Sequence, residues 1–310
     1  MAHHGPVPAD RAVAGLIAFA SAIIDPAAYM GYARPGIQAA AEPAAKVFAF
    51  EAIGTVCRSY NLLLDVAAAR DDLEALVLVE EHVELAEPAL CEKVRAAFSD
   101  PAVAVVGWMG ATGVRSIAWW EGRISCGPVV QQYDEHGGGE LPAWSWTEVD
   151  SAPREVDTVD GRLMALSPWA VRNLRFDEEL SLGVGYDLDF CMRVREAGRK
   201  VVTADVRAIH HHKLDLVVGR ELWVEAHIRM AEKWDGRTAG APPAEVDWKA
   251  RARRAEAERE AARTLAYSSA TRVDARVQPL ERELAAMTAS RSWRATAPLR
   301  RLNRLLRRRA

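Results

Sequence analysis

Several features are missing from this sequence. Its four cysteines, Cys57, Cys91, Cys126 and Cys191, form no Cys-x-x-Cys pair and no zinc-ligand spacing. That argues against a disulfide framework or a zinc knuckle and fits a reducing, cytosolic setting. The longest early apolar run, Ala12 to Ile24, is too short to span a bilayer. Arg11 before it and Ala20-Ser21-Ala22 within it have the outline of a secretory signal. Removing the run would delete the strand an α/β sheet needs at its centre, so a buried first strand ending at Asp25-Pro26 is the better reading. Basic residues interleaved with aromatics are also lacking. The basic cluster is confined to a tail with one aromatic, Trp293, which disfavours nucleic acid as a partner.

The chain is long enough, at 310 residues, for one α/β domain and an appendage, and with 50% hydrophobic residues it can bury a core. Its net charge of -3 conceals an asymmetry. From Leu284 to Ala310 there are eight arginines and no acidic residue, so the remainder carries -11. A basic tail on an acidic body suggests an anionic partner, an inner membrane surface before nucleic acid.

Taken in order, residues 1–12 read as a flexible start. Strands follow at Gly15 to Ile24, Lys46 to Phe50 and Ala75 to Val79, with helices after Asp25-Pro26 and Gly54-Thr55. A helix near Cys91 to Phe98 and a strand at Val103 to Gly107 continue the alternation, which predicts a doubly wound, mostly parallel sheet. Ligands on such sheets bind at the carboxyl ends of the strands, where Asp25, Glu51 and Glu80-Glu81-His82 fall. Residues 108–150 look like a long loop, with five of the ten tryptophans (Trp108, Trp119, Trp120, Trp144, Trp146) and Gly137-Gly138-Gly139. Tryptophan faces suit sugar rings, although packing beneath the loop is an equal reading.

A helix from Glu221 to Trp234 is followed by a Gly/Pro-rich linker at 236–243. The segment 244–289 reads as a charged helix with heptad-like Ala266, Ala270, Val273, Val277, Leu280, Leu284 and Met287, a possible coiled coil and oligomer contact interrupted by Pro279. In the tail, 290–310, Leu299, Leu302, Leu305 and Leu306 gather near one face among arginines. That is the pattern of an interfacial amphipathic helix; a solvated tail is the other reading.

The chemistry centres on Gly185-Tyr186-Asp187-Leu188-Asp189, which opens a short amphipathic helix ending at Gly198. On this segment alone, Asp187 is a cap and Asp189 complements the helix dipole. At the third strand end, Glu80 and His82 project to one side if the strand continues, and both then reach one ion or one diphosphate. A carboxylate with an imidazole suits Mn²⁺ better than Mg²⁺. After the strands at Arg199 to Ile209 come His210-His211-His212, of which His210 and His212 share a side and supply candidate metal ligands.

The motifs at Ser59-Tyr60-Asn61, Leu76 to Leu85, Asp157 to Gly161 and Gly185 to His212, in that order, resemble the catalytic domain of family 2-like glycosyltransferases with the GT-A fold, over residues 13–235. Tyr186 stands where the family's Gly-Glu-Asp-x-Asp motif has Glu, and His82 where its Asp-x-Asp has Asp. The resemblance implies a GT-A type, Rossmann-like α/β domain with a C-terminal helical extension. It also implies a nucleotide-diphosphosugar donor, a divalent metal (Mn or Mg) and an inverting transfer of a hexosyl unit to a hydroxyl. Carried over, Asp187 is the general base with Asp189 beside it, Asp25, Glu51, Glu80 and His82 meet the donor, and Glu80, His82, His210 and His212 hold the metal. Trp119, Trp120, Asp160, Gly161 and Tyr186 lie on the acceptor side. A glycan or lipid-linked saccharide at the cytoplasmic membrane face is the acceptor this suggests. The two departures keep open a catalytically silent glycan-binding or scaffold domain.

Overall fold

The computed structural model describes residues 15–133, 139–142, 149–180, 183–212, 220–234, 277, 279–280 and 282–296. The expectations for residues 1–12, the linker 236–243, Trp144, Trp146, Ala266, Ala270, Val273 and 297–310 lie outside them. The chain forms two compact units, Met1–Pro243 and Ala244–Ala310.

In the first unit the strands are β1 (Leu16–Ile23), β2 (Lys46–Glu51), β3 (Leu73–Val79), β4 (Val83–Leu85), β5 (Val103–Gly107), β6 (Met109–Thr112), β7 (Arg123–Cys126), β8 (Val129–Tyr133), β9 (Gly139–Pro142), β10 (Val149–Ser151), β11 (Arg154–Glu155), β12 (Thr158–Val159), β13 (Leu163–Leu166), β14 (Lys200–Thr203) and β15 (Ala208–His212). The helices are α1 (Pro26–Ala28), α2 (Arg34–Ala40), α3 (Val56–Ala68), α4 (Leu90–Phe98), α5 (Pro168–Asn173), α6 (Tyr186–Glu196) and α7 (Arg220–Trp234).

Seven strands make the large sheet, in the order β11-β14-β5-β13-β3-β1-β2. β1 runs parallel to β2 and β3, and β14 parallel to β5. β13 lies antiparallel between β3 and β5, and β11 is an antiparallel edge. The mostly parallel α/β architecture expected from the alternation is therefore present. Period-2 geometry divides the core into two. Ile17, Phe19, Ala75 and Val77 face one way, into a cluster with Ile37 of α2 and Leu90 and Val94 of α4. Ala18, Ala20, Leu76 and Leu78 face the other way, toward Tyr60, Leu63 and Leu64 of α3 and Phe190 and Val194 of α6. Helices on both faces explain why β1 and β3 are nearly uninterrupted apolar runs.

Residues 108–150 correct an expectation. Among its described residues, what reads as a long loop is mostly strand, and Gly110 and Gly122 permit backbone approaches that a Cβ would block at 2.3 and 2.6 Å. β10-β7-β6-β12 form one small sheet and β4-β15-β8-β9 another. Trp108 is fully buried and Trp119 nearly so, which assigns both to packing. The second small sheet matters most for the site. β15 pairs with β4, setting His210 opposite Val83, and the His211 N–H donates to the His82 carbonyl at 2.9 Å.

In the second unit, Val277, Leu280, Leu284 and Met287 are exposed, and Ser290 caps the helix Arg291–Ala295 by accepting from the Trp293 N–H at 3.2 Å.

Candidate active site

The parallel strands bring the ends of β1, β2 and β3 to one rim, and the antiparallel β13 begins at that same rim. After β1, Asp25 caps α1, its Oδ1 accepting from the Ala27 and Ala28 N–H groups at 2.9 and 3.0 Å. Glu51 ends the edge strand β2 and is exposed. Beyond β3 the chain does not continue as a strand through residue 82. The Val83 N–H donates to the Glu80 carbonyl at 3.0 Å, so Glu80 to Val83 is a turn, and the premise that Glu80 and His82 alternate on a strand is corrected. Glu81 is buried in that turn and accepts from the backbone N–H groups of Ile24 and Asp25 at 3.3 and 3.2 Å. It ties the end of β3 to the end of β1.

Glu80 meets two other groups. Its Oε2 lies 3.3 Å from Arg162 Nε and 3.9 Å from His210 Nε2, and it has no hydrogen-bond partner although buried. Burial raises the Glu80 pKa above the ordinary range, opposed by the Arg162 charge. His210 is itself buried, edge-on to Trp108. His211 faces elsewhere. Its ring stacks on Tyr32 at 3.8 Å and its Nε2 lies 2.8 Å from Glu84. The strand thus alternates as expected, and it delivers His210 to Glu80. The His212 side chain lies outside the described residues.

The tripeptide Asp160-Gly161-Arg162 joins this strand end to the start of α6. Asp160 is buried and accepts from the Arg162 backbone N–H and from its guanidinium, each at 2.9 Å. The Gly161 N–H donates to Asp187 Oδ2 at 3.0 Å. A Cβ on Gly161 would meet Tyr186 at 2.8 Å and the Asp187 Cβ at 2.9 Å, so only glycine lets the helix start come this close. Asp187 is not the helix cap. That position belongs to Gly185, at φ 80° in the left-handed region that favours glycine, with no side-chain cap. The half-buried carboxylate instead points to Gly161. Burial, with the Asp160 charge second, raises its pKa to about 6 against two backbone hydrogen bonds.

Asp189 stands apart from these groups. It is fully buried and binds Trp234 Nε1 at 3.0 Å, Lys233 Nζ at 2.7 Å and Arg193 Nη2 at 2.9 Å. Those contacts fasten α7 to α6 and leave it a positioning residue. Tyr186 packs edge-on to Tyr60 and Phe176, and burial raises its pKa well above the usual value. Asn61 fixes this aromatic group, accepting from the Phe176 N–H at 2.7 Å and donating to its carbonyl at 3.0 Å. Trp120 stacks on Trp223 of α7 with centroids 5.5 Å apart. Sequence reasoning missed Trp223 and Arg162, and it placed Glu81 at the rim without its tie to β1. An acid and a base two apart across a glycine, in the turn just before β13, were a usable signal for Arg162.

A mostly parallel α/β sheet with acidic groups gathered at its strand ends is the doubly wound class, which takes ligands at that rim. The model of a glycosyltransferase-like family matches residues 28–227, and the chain belongs to that family. It is 31% identical over 181 residues to the streptomycin biosynthesis protein StrF of Streptomyces griseus, a match covering 57% of this chain and 60% of that relative. Among solved structures it resembles GalNAc-T7 with UDP, GalNAc and Mn²⁺ (12% identity, TM-score 0.45, 73% of this chain and 49% of that one). It also resembles the mannosyltransferase PcManGT from Pyrobaculum calidifontis in complex with GDP-Man and Mn²⁺ (12% identity, TM-score 0.43, 74% and 66%).

Proposed function

We propose that this chain transfers a glycosyl unit from a nucleotide-diphosphosugar to an acceptor hydroxyl, with inversion. The observation that carries the reading is Asp187, a half-buried carboxylate held by the Gly161 N–H at 3.0 Å, with its pKa raised to about 6. A base near that value is ionised at neutral pH and still accepts a proton well. Asp187 takes the hydroxyl proton as the oxygen bonds to the anomeric carbon. The bond from that carbon to the diphosphate oxygen breaks, and the diphosphate leaves with the electron pair. Asp25 and Glu51 lie at the strand ends where the nucleoside would sit. Asp160, Gly161, Tyr186 and the Trp120 face would border the acceptor.

Glu80 Oε2, buried without a hydrogen-bond partner, and His210 Nε2, 3.9 Å away, fit a divalent cation such as Mn²⁺ as two ligands. Among the described residues no group of three or more ligating side chains is assembled. Of the expected ligands, His82 does not join Glu80 and His210 in such a group, and His212 is the proposed further ligand. Bound there, a cation would offset the charge of the leaving diphosphate.

The acceptor we favour is a glycan or lipid-linked saccharide, at a cytoplasmic membrane face contacted by residues 290–310, with self-association through 266–287. Among the described residues no helix is long and apolar enough to cross a membrane.

The test is thermal stability against UDP-, GDP- and dTDP-sugars, each with Mn²⁺, Mg²⁺ or chelator, since a ligand of the folded state raises Tm. A shift from one nucleotide that chelator abolishes is expected. No shift with any donor would favour a silent glycan-binding domain.

A further inference from the structure

Among the described residues, the cation that touches both Glu80 and Asp160 is Arg162, and it holds them unequally. Its backbone N–H and Nη1 each bond Asp160 at 2.9 Å, while Nε reaches Glu80 at 3.3 Å, a long and weak contact. The anchor is closed and the reach is open. The Asp160 side chain is 3% exposed, against 43% for Arg162 and 30% for Glu80. The guanidinium is therefore anchored at its tip, through Nη1 on Asp160, and only loosely held at Nε by Glu80.

Its place creates a conflict if the site takes a diphosphosugar with a divalent cation, the reading on which this inference rests. The Glu80 oxygen that faces His210 is the same Oε2 that faces Arg162. Two cations on one carboxylate oxygen repel each other, so uptake of the ion weakens the Arg162 contact. A donor brings a diphosphate to a rim already carrying Glu80, Asp160 and Asp187, and a guanidinium fork matches phosphate oxygens in geometry as well as charge.

We propose that Arg162 is a movable counter-ion. Its guanidinium rests on Glu80 in the absence of ligand and transfers to the donor diphosphate when a divalent cation takes Glu80, pivoting on Asp160. Cation and donor therefore bind cooperatively, because the ion releases the group that receives the diphosphate.

The full chain and its Arg162→Gln and Arg162→Lys variants, checked for native melting, are titrated with Mn²⁺ alone and then, in saturating Mn²⁺, with UDP and GDP. Arg162→Gln should bind Mn²⁺ about tenfold more tightly, equivalent to about 1.4 kcal/mol. It should also bind the nucleoside diphosphate about tenfold more weakly, by loss of a charge-assisted contact. Arg162→Lys, which keeps the charge and loses the fork, should fall between. Unchanged or weaker Mn²⁺ binding by Arg162→Gln, in a chain that does bind the ion, overturns the proposal alone, as does unchanged diphosphate affinity. Failure of the native-melting wild type and variants alike to take up Mn²⁺ removes the metal reading of the site and this proposal with it.

Discussion

The two rims of the large sheet both carry carboxylates and treat them in opposite ways. At the amino ends of the strands four acids are matched. Arg95 forks onto Glu42 at 2.5 and 2.7 Å and reaches Glu74 at 2.7 Å, Arg70 pairs with Asp72 at 2.7 Å, and Lys200 with Asp100 at 2.9 Å. These partners hold the carboxyls of Glu42, Asp72 and Asp100 below their ordinary range. At the carboxyl ends Glu80 and Asp160 share Arg162, whose charge also reaches Asp187, and burial drives Glu80 and Asp187 the other way. One rim is arranged for the fold. The other keeps acids under-compensated, at a cost in stability, which is what a proton-accepting or cation-accepting site requires.

The largest effect that would break this contrast is at Asp187. Asp187→Asn should lower turnover of a nucleotide-sugar by about a thousandfold, measured by nucleotide release, while leaving donor binding in place. Gly161→Ala comes next. Its new Cβ would sit 2.8 Å from Tyr186 and 2.9 Å from the Asp187 Cβ, so α6 must shift. A loss of about 1–3 kcal/mol in chemical denaturation is expected, together with slowed turnover. On the opposite rim, Arg95→Met should cost about 1 kcal/mol in the same assay and leave turnover alone. The smallest effect belongs to Arg70→Ala, whose exposed pair with Asp72 should leave Tm unchanged. Were Arg95→Met to impair turnover as strongly as Gly161→Ala, the division of labour between the rims would be wrong.

Much of the fold was legible because buried strands leave a strong mark. The apolar runs at Leu16–Ile23 and Leu73–Val79 and the helices that start after Asp25-Pro26 and Gly54-Thr55 read directly from the chain. The region after Trp108 was not legible, since glycines that allow close strand packing look like loop residues until their neighbours are known. For the site, residue type located Asp187 and Glu80 but not the division of labour in α6. Asp187 and Asp189 are two apart on one helix, and only the packing of Trp234 and Lys233 shows that Asp189 is locked inside while Asp187 faces Gly161. Glu81 and Arg162 act through contacts with residues at least 56 and 2 positions away respectively, the first of which no local pattern encodes.

The central claim is that the site rim holds Asp187 against its own burial, and the pH dependence of folding stability tests it most directly. Asp187 rises from the ordinary 3.8 to about 6 in the folded chain. Between those values the folded state binds the extra proton, so this group's contribution to stability falls as pH rises through the window, by up to about 3 kcal/mol. Unfolding free energies of the wild type and Asp187→Asn, measured from pH 4 to pH 8, should converge near the acid end. Above about pH 6 the variant should be the more stable protein. Glu42→Gln, on the matched rim, should show the opposite sign, losing stability relative to wild type at neutral pH and recovering parity as pH falls. Parallel curves for wild type and Asp187→Asn, or a variant less stable at every pH, would contradict the account.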